Sequence, residues 1–283
     1  MSGAPMSIRT MTRNEVGLAI DWAAAEGWNP GVNDAACFHA ADPEGFLLGS
    51  VDGEPVATIS AVSYGATFGF IGLYIVKPGW RGRGCGMQVW NAGLARLAGR
   101  TIGLDGVVGQ QANYRKSGFT LAYRNLRYAG TSPGAGPIDA RIVPLSSRPF
   151  AEVAAYDRAF FPDDRTPFLR AWLAQPQCKA YAVVRGGSLA GYGVVRAARA
   201  GYKIGPLFAD DPELAEALYG ALQAHVPVGA TLCLDVPEGN LAAVALAERH
   251  RLSVSFETAR MYAGGAPALP LHRLFGVTTF ELG

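Results

Sequence analysis

The stretch KPGWRGRGCGMQVWN, Lys77 to Asn91, sets glycines at 82, 84 and 86 and arginines at 81 and 83 between two apolar runs. The run before it, FGFIGLYIV (68–76), reads as a strand stopped by Lys77-Pro78-Gly79. The run after it, GCGMQVWNAGLARLAGR (84–100), carries Val89, Ala92, Leu94, Leu97 and Ala98 as the apolar positions of a helix. A glycine-rich turn between strand and helix is the setting of an anion cradle, because the first helical amides are free and stand at the positive end of the dipole. Two nucleotide readings fail on spacing. A G-x-G-x-x-G fingerprint would need glycine where Met87 or Val89 stands, and a Walker A loop would need Lys-Ser/Thr where Met87-Gln88 follows Gly86.

Working outward, FLLGSV (46–51) and VATISAV (56–62) flank Asp52-Gly53, a hairpin signal, so three antiparallel strands precede the cradle. Near the N-terminus Thr12 and Glu15 have capping-box spacing, and Val16, Ala19, Ile20 and Ala23 follow on a helical face that Gly27 ends. GWNPGVNDAACFHAADPEG (27–45) reads as a polar loop. Beyond the cradle come the strand TIGLDGVV, the short helix QANYRKSGF and the strand TLAYRNLRYAG. GTSPGAGPIDA (130–140) has linker composition. After it the pattern repeats: YAVVRGGSLAGYGVV, YKIGPLF, DPELAEALYGALQAH, TLCLDV and ETARMYAGG follow the order of the first half. The expected fold class is α/β, of the mixed α+β kind with a mostly antiparallel sheet, built as two related units.

Length and composition agree with two packed domains: 283 residues, 49% hydrophobic and 17% charged. With 25 basic and 23 acidic side chains the net charge is +2, so the footprint of a general nucleic-acid binder is missing and any anion site must be local. Cys37, Cys85, Cys178 and Cys233 and the four histidines form no metal-ligand spacing, so no metal is expected. No signal-peptide core or run of ~20 apolar residues is present, so no membrane partner is expected and a cytoplasmic location is the simplest expectation. Nothing in the sequence fixes an oligomeric state.

Arg81-Gly82-Arg83-Gly84-Cys85-Gly86 resembles the acyl-CoA motif R/Q-x-x-G-x-G/A of the GNAT superfamily of N-acetyltransferases. Val76-Lys77-Pro78 matches the V-x-P that usually precedes it, and Tyr114-Arg115-Lys116-Ser117-Gly118-Phe119 matches a downstream Y-x-x-x-G-F signature. The whole chain further resembles tandem-GNAT bacterial proteins of the YitH type. The resemblance implies two tandem GNAT-like domains: residues 1–129 binding acyl-CoA, a linker over 130–147, and a degenerate copy over 148–283 that closes the acceptor cleft. It implies that the backbone of Arg81 to Gly86 holds the CoA pyrophosphate and that Ile75 and Val76 pair with the pantetheine arm. The implied activity is direct transfer, in a ternary complex, of an acetyl or other acyl group from acetyl-CoA to the primary amine of a small molecule. A CoA-binding sensor without catalysis and a protein lysine acetyltransferase are the alternatives.

Tyr114 stands where many GNAT enzymes keep the tyrosine that protonates the departing sulfur, and a phenol with a pKa of about 10 is protonated at neutral pH. A general base is harder to place, since FGFIGLYIV lacks the glutamate that many relatives carry there. Asp34 is the candidate, with Asp105 as a second; Trp28 and Tyr64 are candidate acceptor-pocket residues. In the second copy, PLFADDPELAEA (206–217) puts Asp210, Asp211 and Glu213 where the cradle would be, and carboxylates there repel a diphosphate. One CoA per chain, in the first half, is therefore expected.

Overall fold

The computed structural model describes residues 6–136 and 139–283; Met1–Pro5 and the linker positions Pro137 and Ile138 lie outside the described residues. The first half contains β1 (Ser7–Thr10), α1 (Val16–Ala25), α2 (Asp34–Ala41), β2 (Phe46–Val51), β3 (Glu54–Tyr64), β4 (Phe68–Val76), α3 (Cys85–Arg96), β5 (Thr101–Val107), α4 (Gln111–Lys116) and β6 (Thr120–Thr131). The second contains β7 (Ile142–Pro144), α5 (Phe150–Asp157), α6 (Thr166–Ala174), β8 (Cys178–Arg185), β9 (Ser188–Ala197), β10 (Tyr202–Ala209), α7 (Pro212–Gln223), β11 (Thr231–Pro237), α8 (Leu241–Arg249), β12 (Ser253–Ala263) and β13 (Leu274–Gly276).

The strands form one sheet in the order β1-β2-β3-β4-β5-β12-β6-β11-β10-β9-β8-β7, with β13 added beside β10. The pattern is symmetric about its centre, with parallel pairs β4/β5 and β10/β11 among antiparallel neighbours. The centre is exchanged. β12, from the second half, lies against β5, whereas β6, from the first half, lies against β11. Each half-sheet is therefore completed by a strand of the other. The expected linker from residue 130 also starts late, because β6 runs on to Thr131.

Each exchanged strand carries an arginine directly opposite an aspartate. Arg127 on β6 faces Asp235 on β11, and Arg260 on β12 faces Asp105 on β5. Both pairs are bidentate and almost wholly buried, at 2.7 and 2.8 Å for the first and 2.8 and 2.5 Å for the second.

Three apolar cores cover the sheet. One, with Ile59, Val89, Trp90 and Met261, lies under α3, and its counterpart, with Leu214, Leu218 and Leu246, lies under α7 and α8. The third joins the halves through α1, α2, α5 and α6, where Phe38 stacks on Trp172 at 6.4 Å. The expected α1 face, Val16, Ala19, Ile20 and Ala23, is buried. On α3, Cys85, Val89, Trp90 and Gly93 are the buried positions; Ala92 and Leu94 are only half-buried, and the helix ends at Arg96, before the expected positions Leu97 and Ala98. The polar loop expected over 27–45 contains α2, which buries Cys37 and Phe38.

The two parallel pairs splay differently. β4 and β5 pair only from Phe68–Ile71 to Thr101–Leu104, and the wedge beyond them is open. β10 and β11 pair only over Tyr202–Ile204 and Leu232–Leu234, and β13 fills that wedge: Leu207 lies opposite Gly276, and the Val277 amide donates to Asp235 O at 2.7 Å. From there residues 277–283 run, buried, to the back of the first wedge, where the Tyr64 hydroxyl donates to Leu282 O at 3.1 Å. Burial of Val277, Phe280 and Leu282 contributes roughly 1.5–3 kcal/mol each to holding this segment. Gly72 leaves no room for a side chain, since a Cβ there would lie 2.0 Å from Glu281 O.

Removing Asp235 would leave Arg127 and the neighbouring ammonium of Lys203 buried without their counter-charge. Asp235→Ala is expected to lower unfolding free energy by about 3–5 kcal/mol in urea denaturation monitored by circular dichroism.

Candidate active site

The open wedge between β4 and β5 leads into a cavity of about 690 Å³. One end is the cradle. Gly82 and Gly84 adopt φ of +76° and +82°, left-handed values that glycine takes without strain, and they turn the chain from β4 into α3. Among the described residues the amides of 82–87 donate to no protein group, the first helical bond running from Gln88 N to Gly84 O at 3.3 Å. No acidic residue stands in the first turn of α3. At α7 the opposite holds: Asp211 caps the helix by accepting from Leu214 N at 3.0 Å, Pro212 has no amide to offer, and Arg185 binds the Asp211 carboxylate at 2.5 Å. Asp210 is tied to Arg273 and Tyr156.

Of the expected cradle residues, Arg81, Gly82, Gly84 and Gly86 line the cavity together with Ile75 and Val76. Arg83 stands aside, its guanidinium 5.2 Å over the Trp80 ring, and the Cys85 thiol is buried beneath the helix. The Arg81 side chain braces the loop, donating to Val76 O at 2.9 Å and pairing with Glu26. A ligand at the cradle therefore meets backbone amides before it meets free charge.

The middle of the cavity is the unpaired edge of β4 from Gly72 to Val76. Leu73 sits at φ +45° within a bulge of β4 against β3, and Thr58 Oγ1 donates to its carbonyl at 2.8 Å. A non-glycine residue held there stores strain, and the bulge interrupts the ladder with β3 beside the wedge.

Tyr114 lines the cavity from α4, with its ring 5.5 Å from Trp90 and close under Gly106. Burial, helped by nearby Tyr74, pushes its phenol up to about 12, so the group stays protonated through the neutral and mildly alkaline range.

Asp34 is not at the site. It is buried between the halves, paired with Arg196 at 2.9 Å and accepting from Gly31 N at 2.7 Å, and it does not line the cavity. The expectation of a base at Asp34 is corrected: its charge locks α2 to β9. Asp105 does line the cavity, but Arg260 and Asn125 hold its oxygens while burial pushes its carboxyl up. Trp28 lines the cavity as expected; Tyr64 does not, and braces the last residues from behind.

The far end is built by residues that the sequence left unassigned: Phe256 and Thr258 on β12, and Phe280 and Glu281 in the segment after β13. Arg127 organises them. Its guanidinium lies 5.6 Å over the Phe256 ring and 5.0 Å over that of Phe280, and it donates to Trp28 O at 2.6 Å. Among the described residues no helix is long and apolar enough to cross a membrane.

Residues 16–119 match the acetyltransferase (GNAT) family, and residues 153–276 match the acetyltransferase (GNAT) domain. The chain is 30% identical over 263 residues to the holothin acyltransferase of Pseudoalteromonas sp. (strain SANK 73390), covering 93% of this chain and 90% of that protein. Among solved structures it resembles a putative acetyltransferase from Pyrococcus horikoshii, with a TM-score of 0.84, 24% identity, and coverage of 100% of this chain and 97% of that one. It also resembles a tandem GNAT protein from the clavulanic acid biosynthesis pathway, with a TM-score of 0.64, 16% identity, and coverage of 93% and 100%.

Asp34→Asn is expected to cost about 3 kcal/mol of stability in denaturant titration, while turnover of the folded protein changes by less than about twofold.

Proposed function

We propose a reaction for this chain from one premise: it belongs to the GNAT family of acetyltransferases, with two such domains in tandem. It is an acyltransferase of a family that takes its acyl group from acyl-CoA. Within that frame the acyl donor is acetyl-CoA, and the acceptor is the primary amine of a small molecule, attacked directly while both substrates are bound. The observation that carries this reading is that one cavity joins a cradle of free amides, the unpaired edge of β4, and Tyr114.

The residues fit an acyl-CoA. The amides of 82–87 suit its diphosphate, with Arg81 holding the loop in shape and Arg83 at its rim. The β4 edge at Ile75 and Val76 suits the amide-bearing pantetheine arm. Bound acyl-CoA supplies a thioester, an acyl group already activated for transfer to nitrogen. The amides beyond the Leu73 bulge then face the carbonyl oxygen on which charge develops, and Tyr114, kept protonated by burial, donates to the departing sulfur. The filled wedge and carboxylate-capped α7 support a single acyl-CoA per chain. A cavity partly roofed by the second half supports a small acceptor over an extended peptide, and the name of the Pseudoalteromonas relative points the same way.

Calorimetry with acetyl-CoA is expected to give one site per chain, and Gly84→Val, which puts a branched side chain at φ +82°, should weaken it by about tenfold or more. Tyr114→Phe should lower kcat by about 100-fold and leave acetyl-CoA affinity within about twofold. A wild-type chain that fails to bind acetyl-CoA at millimolar concentration overturns the reading.

A further inference from the structure

Glu281 reaches the cavity from the segment after β13, far from the cradle in sequence. Its carbonyl packs against Gly72 of β4, so the residue is fixed at the point where the bulge begins. Its side chain is buried, yet the residue lines the cavity. The Thr279 hydroxyl donates to Oε2, while among the described residues Oε1 accepts from no group. Thr258, also on the cavity wall, has a buried hydroxyl with no partner. An unpartnered buried hydroxyl is costly unless water satisfies it. Glu281 thus offers an unpartnered carboxylate oxygen at an end otherwise walled by Trp28, Phe256 and Phe280.

The charges around Glu281 are mixed. Arg127 from β6 and Lys203 from β10 act on it, and both are shared with Asp235 of β11. Burial and Arg127 push the Lys203 ammonium down. Neither cation makes a salt bridge to Glu281 among the described residues, whereas the other two carboxylates on the wall, Glu26 and Asp105, are taken by Arg81 and Arg260.

We propose that Glu281 binds the acceptor as its ammonium and takes the proton that frees the amine, the acceptor being a small amine with a flat, apolar body packed among Trp28, Phe256 and Phe280. This rests on the acyl-transfer reading above. The ammonium loses one proton to Glu281; the nitrogen lone pair forms the C–N bond to the acyl carbon, and the C–S bond breaks with its electron pair going to sulfur. Tyr114 protonates the sulfur and recovers a proton from the acylated nitrogen. The proton on Glu281 leaves to solvent, so the balance is one amide, one thiol and one released proton.

The test compares wild type, Glu281→Gln and Glu281→Asp, using 2-phenylethylamine as acceptor and 2-phenylethanol as its neutral counterpart. Calorimetry with CoA present should show Glu281→Gln weakening the amine by about tenfold or more and leaving the alcohol unchanged, since only the cation uses the carboxylate. At pH 7 its kcat/KM should fall by about 100-fold and recover with rising pH as free amine becomes available, while acetyl-CoA affinity stays within about twofold. Glu281→Asp, which keeps the carboxylate, should retain more activity than Glu281→Gln. Equal amine binding and an unchanged pH profile in Glu281→Gln, with an active wild type, overturn the assignment to Glu281 alone. A preference of wild type for n-butylamine over 2-phenylethylamine overturns the flat-bodied acceptor. A wild type that binds acetyl-CoA but releases no thiol with either amine overturns the acyl-transfer reading beneath it.

Discussion

The architecture depends on two buried arginine–aspartate pairs at the centre of the sheet. Arg127 to Asp235 and Arg260 to Asp105 are cross-strand partners in direct register, and each tethers an exchanged strand to the half that did not supply it. A buried ion pair is a weak source of net stability, because desolvation offsets much of the attraction, but it is a strong discriminator of register. Sliding β6 or β12 by one residue would turn the arginine to the other face and leave two charges buried alone. The pairs therefore fix which residues of each exchanged strand face the wedges. Arg127 makes the consequence visible: the guanidinium that fixes β6 also spans Phe256 and Phe280 and holds the Trp28 carbonyl.

The two wedges show how one duplicated geometry acquires two uses. Parallel strands that diverge leave unpaired backbone at the mouth of the splay, and that backbone must be satisfied by a ligand, by water or by more chain. In the second half β13 does this, and the helix beyond is capped by Asp211. In the first half the edge of β4 and the amides of the cradle stay available. The segment that closes one wedge then runs on to form the wall of the other. The strand that fills the wedge of the second half is thus continuous with residues that shape the cavity of the first.

The repeat was legible in the sequence because strands and helices write their burial into residue spacing, and TIGLDGV and TLCLDV carry the same aspartate. The cradle was legible because strand, glycines and helix are contiguous. The exchange was not, since β6 and β12 have equivalent patterns and either could lie beside β5; only the three-dimensional register distinguishes them. Asp34 was misread because DAACFHAA is short and rich in small residues, so its helix and the burial of its carboxylate leave little periodic signal. Glu281 gave no signal, for the contact with Gly72 joins residues far apart in the sequence.

That last contact bears on what the second half is for. Had the second copy served only as a lid, its contribution to the cavity would be a surface, replaceable by any apolar face of the right shape. Phe256, Thr258, Phe280 and Glu281 instead come from an exchanged strand and from a segment threaded behind β4, so they are built into the sheet and the core of the first half. An interface between two closed domains can slip or open; a shared sheet does so only at the cost of breaking its ladder and burying unpaired charge. The far end of the cavity is therefore held by the shared sheet, and its shape and charge belong to the fold rather than to the docking of two parts.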